Sequence, residues 1–190
     1  RRQRQMCIRD RTYPNTISPQ AVHFVGVYNR TYFAYLSYNW TINIFYYDHD
    51  LGKFSDIIPI TSSILKDEHA SPSLLIDNQG YLHVFYGSHN TDQYYIKSLE
   101  PENITAWTSP KVIASGAYTY PQPVLRDGRI IVILRGSSHA QQSYVYSDDR
   151  GNTWSTPKVF IDMGSGTCYR YDVFLDANSY IHVVWTSCMQ

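Results

Sequence analysis

Apolar segments separated by short polar turns recur along the chain at intervals of about fifty residues. In the clearest copy, apolar residues 73–76 are followed by the polar turn 77–80 and then by the apolar segment 81–86. Equivalent second segments begin at residues 31, 81, 129 and 180. Turns that contain Asp-Gly or Asn-x-Gly between apolar segments are typical of β-hairpins. The pattern therefore predicts four copies of one strand–turn–strand unit.

A third apolar segment follows each of the first three copies, at residues 43–47, 93–97 and 143–147. A short outer strand is expected after each of them. Four antiparallel strands in about 45–50 residues are typical of a β-propeller blade, and no stretch of the chain has a convincing helical period. We therefore predict an all-β fold, a β-propeller built of four-stranded antiparallel blades. A β-sandwich with accidental regularity is the alternative.

The copies also give the expected extent of the propeller. The blades are predicted at residues 20–62, 70–115, 120–162 and 170–190, and the last of them stops after its second strand. Because a propeller closes its ring so that no blade exposes a bare edge, we expect these three to four blades to be part of a ring of about seven. The partial propeller is expected to occupy residues 12–190.

Composition agrees with an all-β protein and excludes some partners. Aromatic residues make up 15% of the chain, and they suit the half-buried faces of strands. The formal net charge is +0, so the chain lacks the basic field of a nucleic-acid-binding protein. No apolar run approaches the roughly 20 residues that a membrane span needs. Outside the first residues only Cys168 and Cys188 remain, and whether they pair stays open.

The neutral total conceals a basic head. Residues 1–11 contain five Arg and a single acid, Asp10, so the rest of the chain is weakly acidic. The head has no hydrophobic segment of the kind a signal peptide requires. Residues 6–11 instead resemble translated sequencing adapter. We expect residues 1–11 to be a non-native or disordered head.

An eight-residue motif near the end of the third copy fits the pattern S-x-D-x-G-x-T-W. Its fixed positions are Ser147, Asp149, Gly151, Thr153 and Trp154. This pattern is similar to the Asp box, or BNR repeat, of sialidase-like propellers. The Ser and Asp side chains can bond turn amides, the Gly permits the backbone to bend, and the Trp can pack between strands. The motif favours the fold and says little about activity.

Four residues that could carry chemistry occupy equivalent places in two neighbouring copies. His69 precedes the first strand of its copy and His89 follows the second, as Tyr120 and Arg135 do in the next copy. The start of one antiparallel strand and the end of the next lie at the same edge of a sheet, so we expect the four to converge there. Further candidates for substrate contact are Asn90, Tyr118, His139 and Arg170.

The surroundings of these residues resemble a known family. The strings D-x-H-x-S-P-S-L-L at 67–75, L-H-V-F-Y-G-x-H at 82–89 and Y-P-x-P-V at 120–124 occur in that order. They resemble BNR-repeat propellers that include the ulvan-lyase-type polysaccharide lyases. The resemblance implies a secreted or periplasmic protein with an acidic polysaccharide as its partner.

The resemblance also implies a role in the reaction for each of the four clustered residues. In β-elimination beside a uronic acid, Arg135 would neutralise the sugar carboxylate as a bidentate cation. His69 and Tyr120 look like the pair of base and acid, in an order that the sequence leaves open, and His89 would assist in binding the carboxylate. The chemistry requires no cofactor, no catalytic metal is predicted, and a structural metal ion stays open.

Two other functions remain. A non-catalytic glycan-binding propeller would use its Tyr and Trp side chains to stack on sugars. A sialidase-like glycoside hydrolase would need a trio of Arg residues and a carboxylate apparatus, and outside the head only six Arg occur. Each candidate also has a structural explanation, since Tyr120 could be a packing residue and His69 the cap of a turn.

Overall fold

The computed structural model describes residues 20–61, 67, 69–136, 140–164 and 167–188. Every regular element in these residues is a β-strand, which confirms the predicted all-β fold. In chain order the strands are β1 (Gln20–Val25), β2 (Asn29–Leu36), β3 (Ile42–Asp48), β4 (Lys53–Phe54), β5 (Ile58–Thr61), β6 (Ser73–Ile76), β7 (Leu82–Tyr86), β8 (Thr91–Lys97), β9 (Lys111–Arg126), β10 (Arg129–Arg135), β11 (Gln141–Ser147), β12 (Lys158–Asp162), β13 (Thr167–Leu175) and β14 (Ile181–Cys188).

The strands form three antiparallel sheets in which strands consecutive along the chain are mostly neighbours. The first sheet has the order β1-β2-β3-β4, with β5 also paired to β3. The second contains seven strands in the order β12-β11-β10-β9-β8-β7-β6, and β13 and β14 form a separate hairpin. The second strands of the four predicted copies begin within two residues of their expected positions. Short polar turns between apolar segments thus set the order of the strands.

Strand β9 joins two of the predicted copies. Its first part pairs with β8 and its second part with β10. The sequence predicted a break between residues 115 and 120, and the strand runs through that break instead. Residues 118–121, which we expected ahead of a strand, therefore lie inside one.

The core consists of two apolar clusters, and strand β7 contributes to both of them. The first lies between the first and second sheets, and the second lies between the two parts of the second sheet. Leu82, Val84 and Tyr86 pack with residues of β2 and β3 in one apolar cluster. Phe85 packs with residues of β9, β10 and β11 in a second cluster. Successive side chains of a strand point to opposite faces, so a strand covered on both sides is apolar at nearly every position. The polar exception in β7 is His83, whose ring nitrogens bond Tyr95 and Asp77. Burying each apolar side chain contributes about 1.5–3 kcal/mol.

The same turn recurs in two of the copies. Asp77 accepts backbone N–H bonds from Gln79 and Tyr81, and Asp176 accepts the equivalent bonds two and four residues after itself. The other carboxylate oxygen of each Asp faces the imidazole of His83 or His182. Burial lowers the pKa of the His83 imidazole, and Asp77 opposes this shift without cancelling it. These two His residues belong to the turns that order the repeat.

The segment 147–154 forms a turn fixed by two side chains. The Ser147 hydroxyl donates to Asp149 Oδ1 and accepts the backbone N–H of Gly151. Asp149 also accepts the backbone N–H and the hydroxyl of Thr153. The hydroxyl and N–H of Thr153, followed by the hydroxyl of Ser147, lower the pKa of Asp149 to about 2. Trp154 then packs edge-on against Phe85 at 5.8 Å between ring centroids, so the turn joins two parts of the second sheet.

We expect Gly151→Ala to destabilise the protein by about 2–5 kcal/mol. Gly151 has φ +83°, and a Cβ there would overlap the phenol of Tyr95. Gly128→Ala is the matched control, because its φ is +82° and a Cβ there would contact nothing within 4 Å. It should cost only the left-handed backbone strain of about 1–2 kcal/mol. Urea unfolding measures the free energy of unfolding of both variants. Equal losses of stability would show that the overlap with Tyr95 contributes nothing.

Candidate functional site

Three rings from two parts of the second sheet meet at one end of its strands. His69 lies just before β6 and His89 just after β7, and their ring centroids are 4.7 Å apart. The Tyr120 ring of β9 lies 5.9 Å from that of His69. The His69 side chain is 38% exposed, and His89 and Tyr120 are partly exposed. The sequence predicted this convergence, and the structure brings the three side chains within reach of one ligand.

Asp67 holds both histidines in place. Its Oδ1 accepts the backbone N–H of His69 and lies 2.6 Å from His69 Nδ1, and its Oδ2 accepts the backbone N–H of His89. Burial raises the pKa of the Asp67 carboxyl, but the N–H groups of His69 and His89 lower it more, and the pKa ends below its ordinary value. An ionised carboxylate only accepts, so His69 Nδ1 carries the proton. In the neutral ring this leaves the lone pair on Nε2.

A β-bulge presents Tyr120. Arg135 pairs with Thr119 and Ile133 with Gln122, so residues 120–121 face one residue of β10. Tyr120 has φ +56°, an unfavourable conformation for a residue with a side chain that costs about 1–3 kcal/mol. Bulges redirect side chains and are common beside functional sites. Here the bulge places the Tyr120 ring beside His69.

Arg135 lies behind the rings. Its side chain is 2% exposed, its Cζ lies 4.9 Å from the centre of the Tyr120 ring, and its Nη2 donates to the Thr119 hydroxyl at 3.3 Å. Among the described residues, no acceptor bonds its Nε and no carboxylate pairs with it. A buried guanidinium without an anion is costly. Within the described part of the chain, the positive charge is therefore available to an anion or to the phenol oxygen.

Thr119 connects this cation to the loop after β7. It is fully buried, and its hydroxyl accepts both the Arg135 guanidinium and the backbone N–H of Asn90. Asn90 is exposed and has φ +53°. Its Oδ1 lies 3.5 Å from the Thr119 hydroxyl, which places the side chain at the rim of the ring cluster. Tyr118 is partly buried, and its carbonyl accepts the buried Gln93 amide at 2.8 Å.

Two of the predicted contact residues have no described side chain. His139 lies outside the described residues, and Arg170 is described only as a backbone position in β13. Asp67, Thr119 and the bulge at Tyr120 were missed as site features. The D-x-H spacing could have identified Asp67, whereas no local sequence pattern indicated Thr119 or the bulge.

The arrangement suits proton transfer beside an anionic group. It combines an imidazole with a fixed tautomer, a phenol next to a guanidinium, and a second imidazole at the same mouth. Within the described part of the chain, no three His, Cys, Asp or Glu side chains are grouped to hold a metal ion. The described residues also include no helix long and apolar enough to cross a membrane.

The chain is similar in sequence to proteins named as ulvan lyases. The chain is 30% identical over 169 residues to an ulvan lyase of Alteromonas sp. (strain LOR), a match that covers 75% of this chain and 34% of the relative. It is 29% identical over 171 residues to Ulvan Lyase-PL25 of Pseudoalteromonas sp. (strain PLSV), with the same coverage. The chain thus spans about a third of the length of these curated relatives.

A solved structure and a family profile agree with these relatives. The structure of a PL25 ulvan lyase bound to -[GlcA(1-4)Rha3S]- superposes with a TM-score of 0.75 and 22% identity, covering 89% of this chain and 44% of the other. At that identity the likeness shows the shared fold. The profile described as "BNR repeat-containing family member" matches residues 30–188. That match spans most of the sequence, and the chain belongs to the BNR repeat-containing family.

Proposed function

We propose that the protein is a polysaccharide lyase that cleaves a uronic-acid-containing, ulvan-like polymer by β-elimination. The observation that carries this proposal is the cluster of His69, His89 and Tyr120 in front of the buried Arg135. The relatives named as ulvan lyases support it. The PL25 structure bound to -[GlcA(1-4)Rha3S]- supports an acidic saccharide as substrate, because GlcA carries a carboxylate.

The proposed reaction needs a base, an acid and a cation. The base takes the proton on C5 of the uronate, the electron pair forms the C4–C5 double bond, and the C4–O bond breaks. The acid donates a proton to the departing oxygen, so charge and atoms balance. Neutralising the carboxylate makes the C5 proton easier to remove, which is electrostatic stabilisation of the carbanion-like transition state.

The geometry suggests how these parts are shared. Since Asp67 holds the proton on His69 Nδ1, the Nε2 lone pair of His69 can accept the C5 proton. Tyr120 then donates its hydroxyl proton to the leaving oxygen, and the adjacent guanidinium of Arg135 stabilises the phenolate that results. His89 and Asn90, which are more exposed, contact the carboxylate, and the positive charge of Arg135 acts on it from behind the rings.

We also propose that the sheets are blades of a propeller larger than the described strands. The repeated strand order supports this architecture, as do the apolar cluster between the first and second sheets and the one between the two parts of the second sheet. Val25 on the edge strand β1 and Val184 on the hairpin strand β14 are 69% and 62% exposed. Such surfaces are where neighbouring blades would pack.

The protein incubated with ulvan is expected to produce unsaturated chain ends, followed by their ultraviolet absorbance. His69→Ala should lower the initial rate about 10²- to 10⁴-fold, the usual contribution of a general acid or base. His23→Ala is the matched control, because His23 is an exposed ring on β1 and should leave the rate unchanged.

Three other results would contradict the proposal. New reducing ends without unsaturated absorbance would indicate hydrolysis. A folded protein that binds but does not cleave any uronate polymer would be a glycan-binding propeller. Equal rates for His69→Ala and His23→Ala would place the chemistry elsewhere.

A further inference from the structure

A second cleft opens at the other end of the same strands. It has a volume of about 260 Å³ and lies between the end of β8 and the turn 150–152. Strand β8 begins beside the ring cluster at Thr91 and ends at the cleft with Lys97. At about 3.3 Å per residue, this separates the two places by roughly 20 Å. One ligand of monosaccharide size cannot contact both.

Two lysines of the cleft have no anionic partner among the described residues. Lys111 Nζ donates to the Asn152 carbonyl at 2.9 Å and lies 3.5 Å from the Gly151 carbonyl, and Lys97 Nζ lies 3.5 Å from the Arg150 carbonyl. Neither forms an ion pair with a described carboxylate, and no Asp or Glu lines the cleft. Asp149 is close in sequence, but its oxygens accept bonds from within the turn. An ammonium has three donors, so both lysines keep donors for an anion.

The walls suit a sugar. The Tyr81 ring, with Lys97 Nζ 4.5 Å from its centre, and Leu99 supply apolar surface. Thr108 lines the same cleft, and its hydroxyl oxygen accepts the backbone N–H of Lys97, which leaves its O–H to donate. Ser98 borders the cleft but is fully buried. A pyranose presents both hydroxyls and apolar C–H faces. These match the usual lining of a small-molecule pocket, which combines apolar surface with a few polar groups.

We infer that this cleft binds an anionic sugar unit, with Lys97 and Lys111 contacting its carboxylate or sulfate group. Such a site would hold a second segment of an acidic polysaccharide away from the ring cluster. The inference goes beyond the proposed lyase function, because binding here requires no elimination. It concerns residues that the proposed reaction does not use.

The competing explanation is purely structural: the lysines only tie the carbonyls of the turn 150–152 to β8 and β9. Lys97→Met with Lys111→Met removes the charges and keeps the apolar stems. Lys158→Met is the matched control, since Lys158 also faces a Tyr ring, with its Nζ 5.3 Å from the centre of Tyr146. A structural role predicts lower stability without any change that depends on ligand.

The test is a titration of the ¹⁵N-labelled protein with sodium glucuronate, sodium sulfate and glucose, following the backbone amides of Gly151 and Asn152. We expect saturable shifts with glucuronate, binding at least about tenfold weaker in the double Met variant, and unchanged binding in Lys158→Met. Glucose should cause no shift. If sulfate saturates at the same concentration as glucuronate, the site recognises a bare anion and the sugar is not part of it.

The titration is repeated in His69→Ala, so that a failure of the cleft inference can be distinguished from a failure of the lyase proposal. Shifts at Gly151 and Asn152 that persist there establish the cleft whether or not the protein is a lyase. If the double Met variant unfolds, Lys97→Gln and Lys111→Gln are measured singly. Absence of glucuronate-dependent shifts at these amides in the unsubstituted protein overturns the inference.

Discussion

Arg135→Met is expected to lower kcat/KM on a uronate polymer by about 10²- to 10³-fold, the usual loss when one preorganised electrostatic contact to a transition state is removed. The side chain is 2% exposed and its Nε has no acceptor among the described residues. Methionine fills similar space without a charge, and replacing a buried ionic group by an apolar one is often neutral for stability. The loss should therefore appear in the rate and leave the fold intact.

Two variants sharpen this result. Arg129→Met is the matched control, because Arg129 begins the strand that Arg135 ends and pairs with an exposed Asp148; its rate should not change. Arg135→Lys keeps the charge but loses the planar pair of donors. We expect a rate between those of the unsubstituted protein and Arg135→Met.

Substrate chemistry separates the two roles that Arg135 can play. If the guanidinium neutralises the uronate carboxylate, methyl esterification of the substrate removes its partner, and Arg135→Met should then cost much less. If it acts only on the Tyr120 phenol, 4.9 Å away between Cζ and the ring centre, the loss should be the same on ester and acid. The second result would contradict carboxylate binding by Arg135.

The strand order was predictable because its signals are local. Alternating side chains and the polar turns at 77–80 and 127–128 act over a few residues, and they set the strands within about two residues. Strand β7 was also readable, since the segment 82–86 is apolar except for His83, and such a run indicates burial on both faces. The pairing of His69 with His89 followed from the same reasoning about strand ends.

The finer geometry of the site was not predictable, because tertiary contacts decide it. A residue before proline is expected to be extended, yet Tyr120 adopts φ +56° in the bulge. The Ser73 hydroxyl, 48 residues away in sequence, donates to the Pro121 carbonyl beside it. The burial of Arg135 behind Tyr120 depends on the same bulge, so neither could be read from its own segment.

Tyr120→Phe is expected to lower kcat about 10²- to 10⁴-fold, the usual contribution of a general acid. Phenylalanine keeps the ring that contacts His69 and Arg135 and removes only the hydroxyl, so the leaving oxygen loses its proton donor. The bulge, which depends on the backbone at 120–121, should be unaffected. Initial rates of unsaturated-product formation measure the effect.

Tyr118→Phe is the matched control, and it also tests the alternative that Tyr118 is the general acid. Tyr118 lies two residues earlier on β9, where its ring packs against the second apolar cluster and its backbone carbonyl bonds Gln93. The substitution keeps both the ring and the carbonyl. We expect its kcat to stay within about twofold of the unsubstituted value, in the range of surface substitutions. If Tyr118→Phe were the slow variant and Tyr120→Phe the normal one, the acid would be Tyr118, and the bulge at Tyr120 would serve only to seat Arg135.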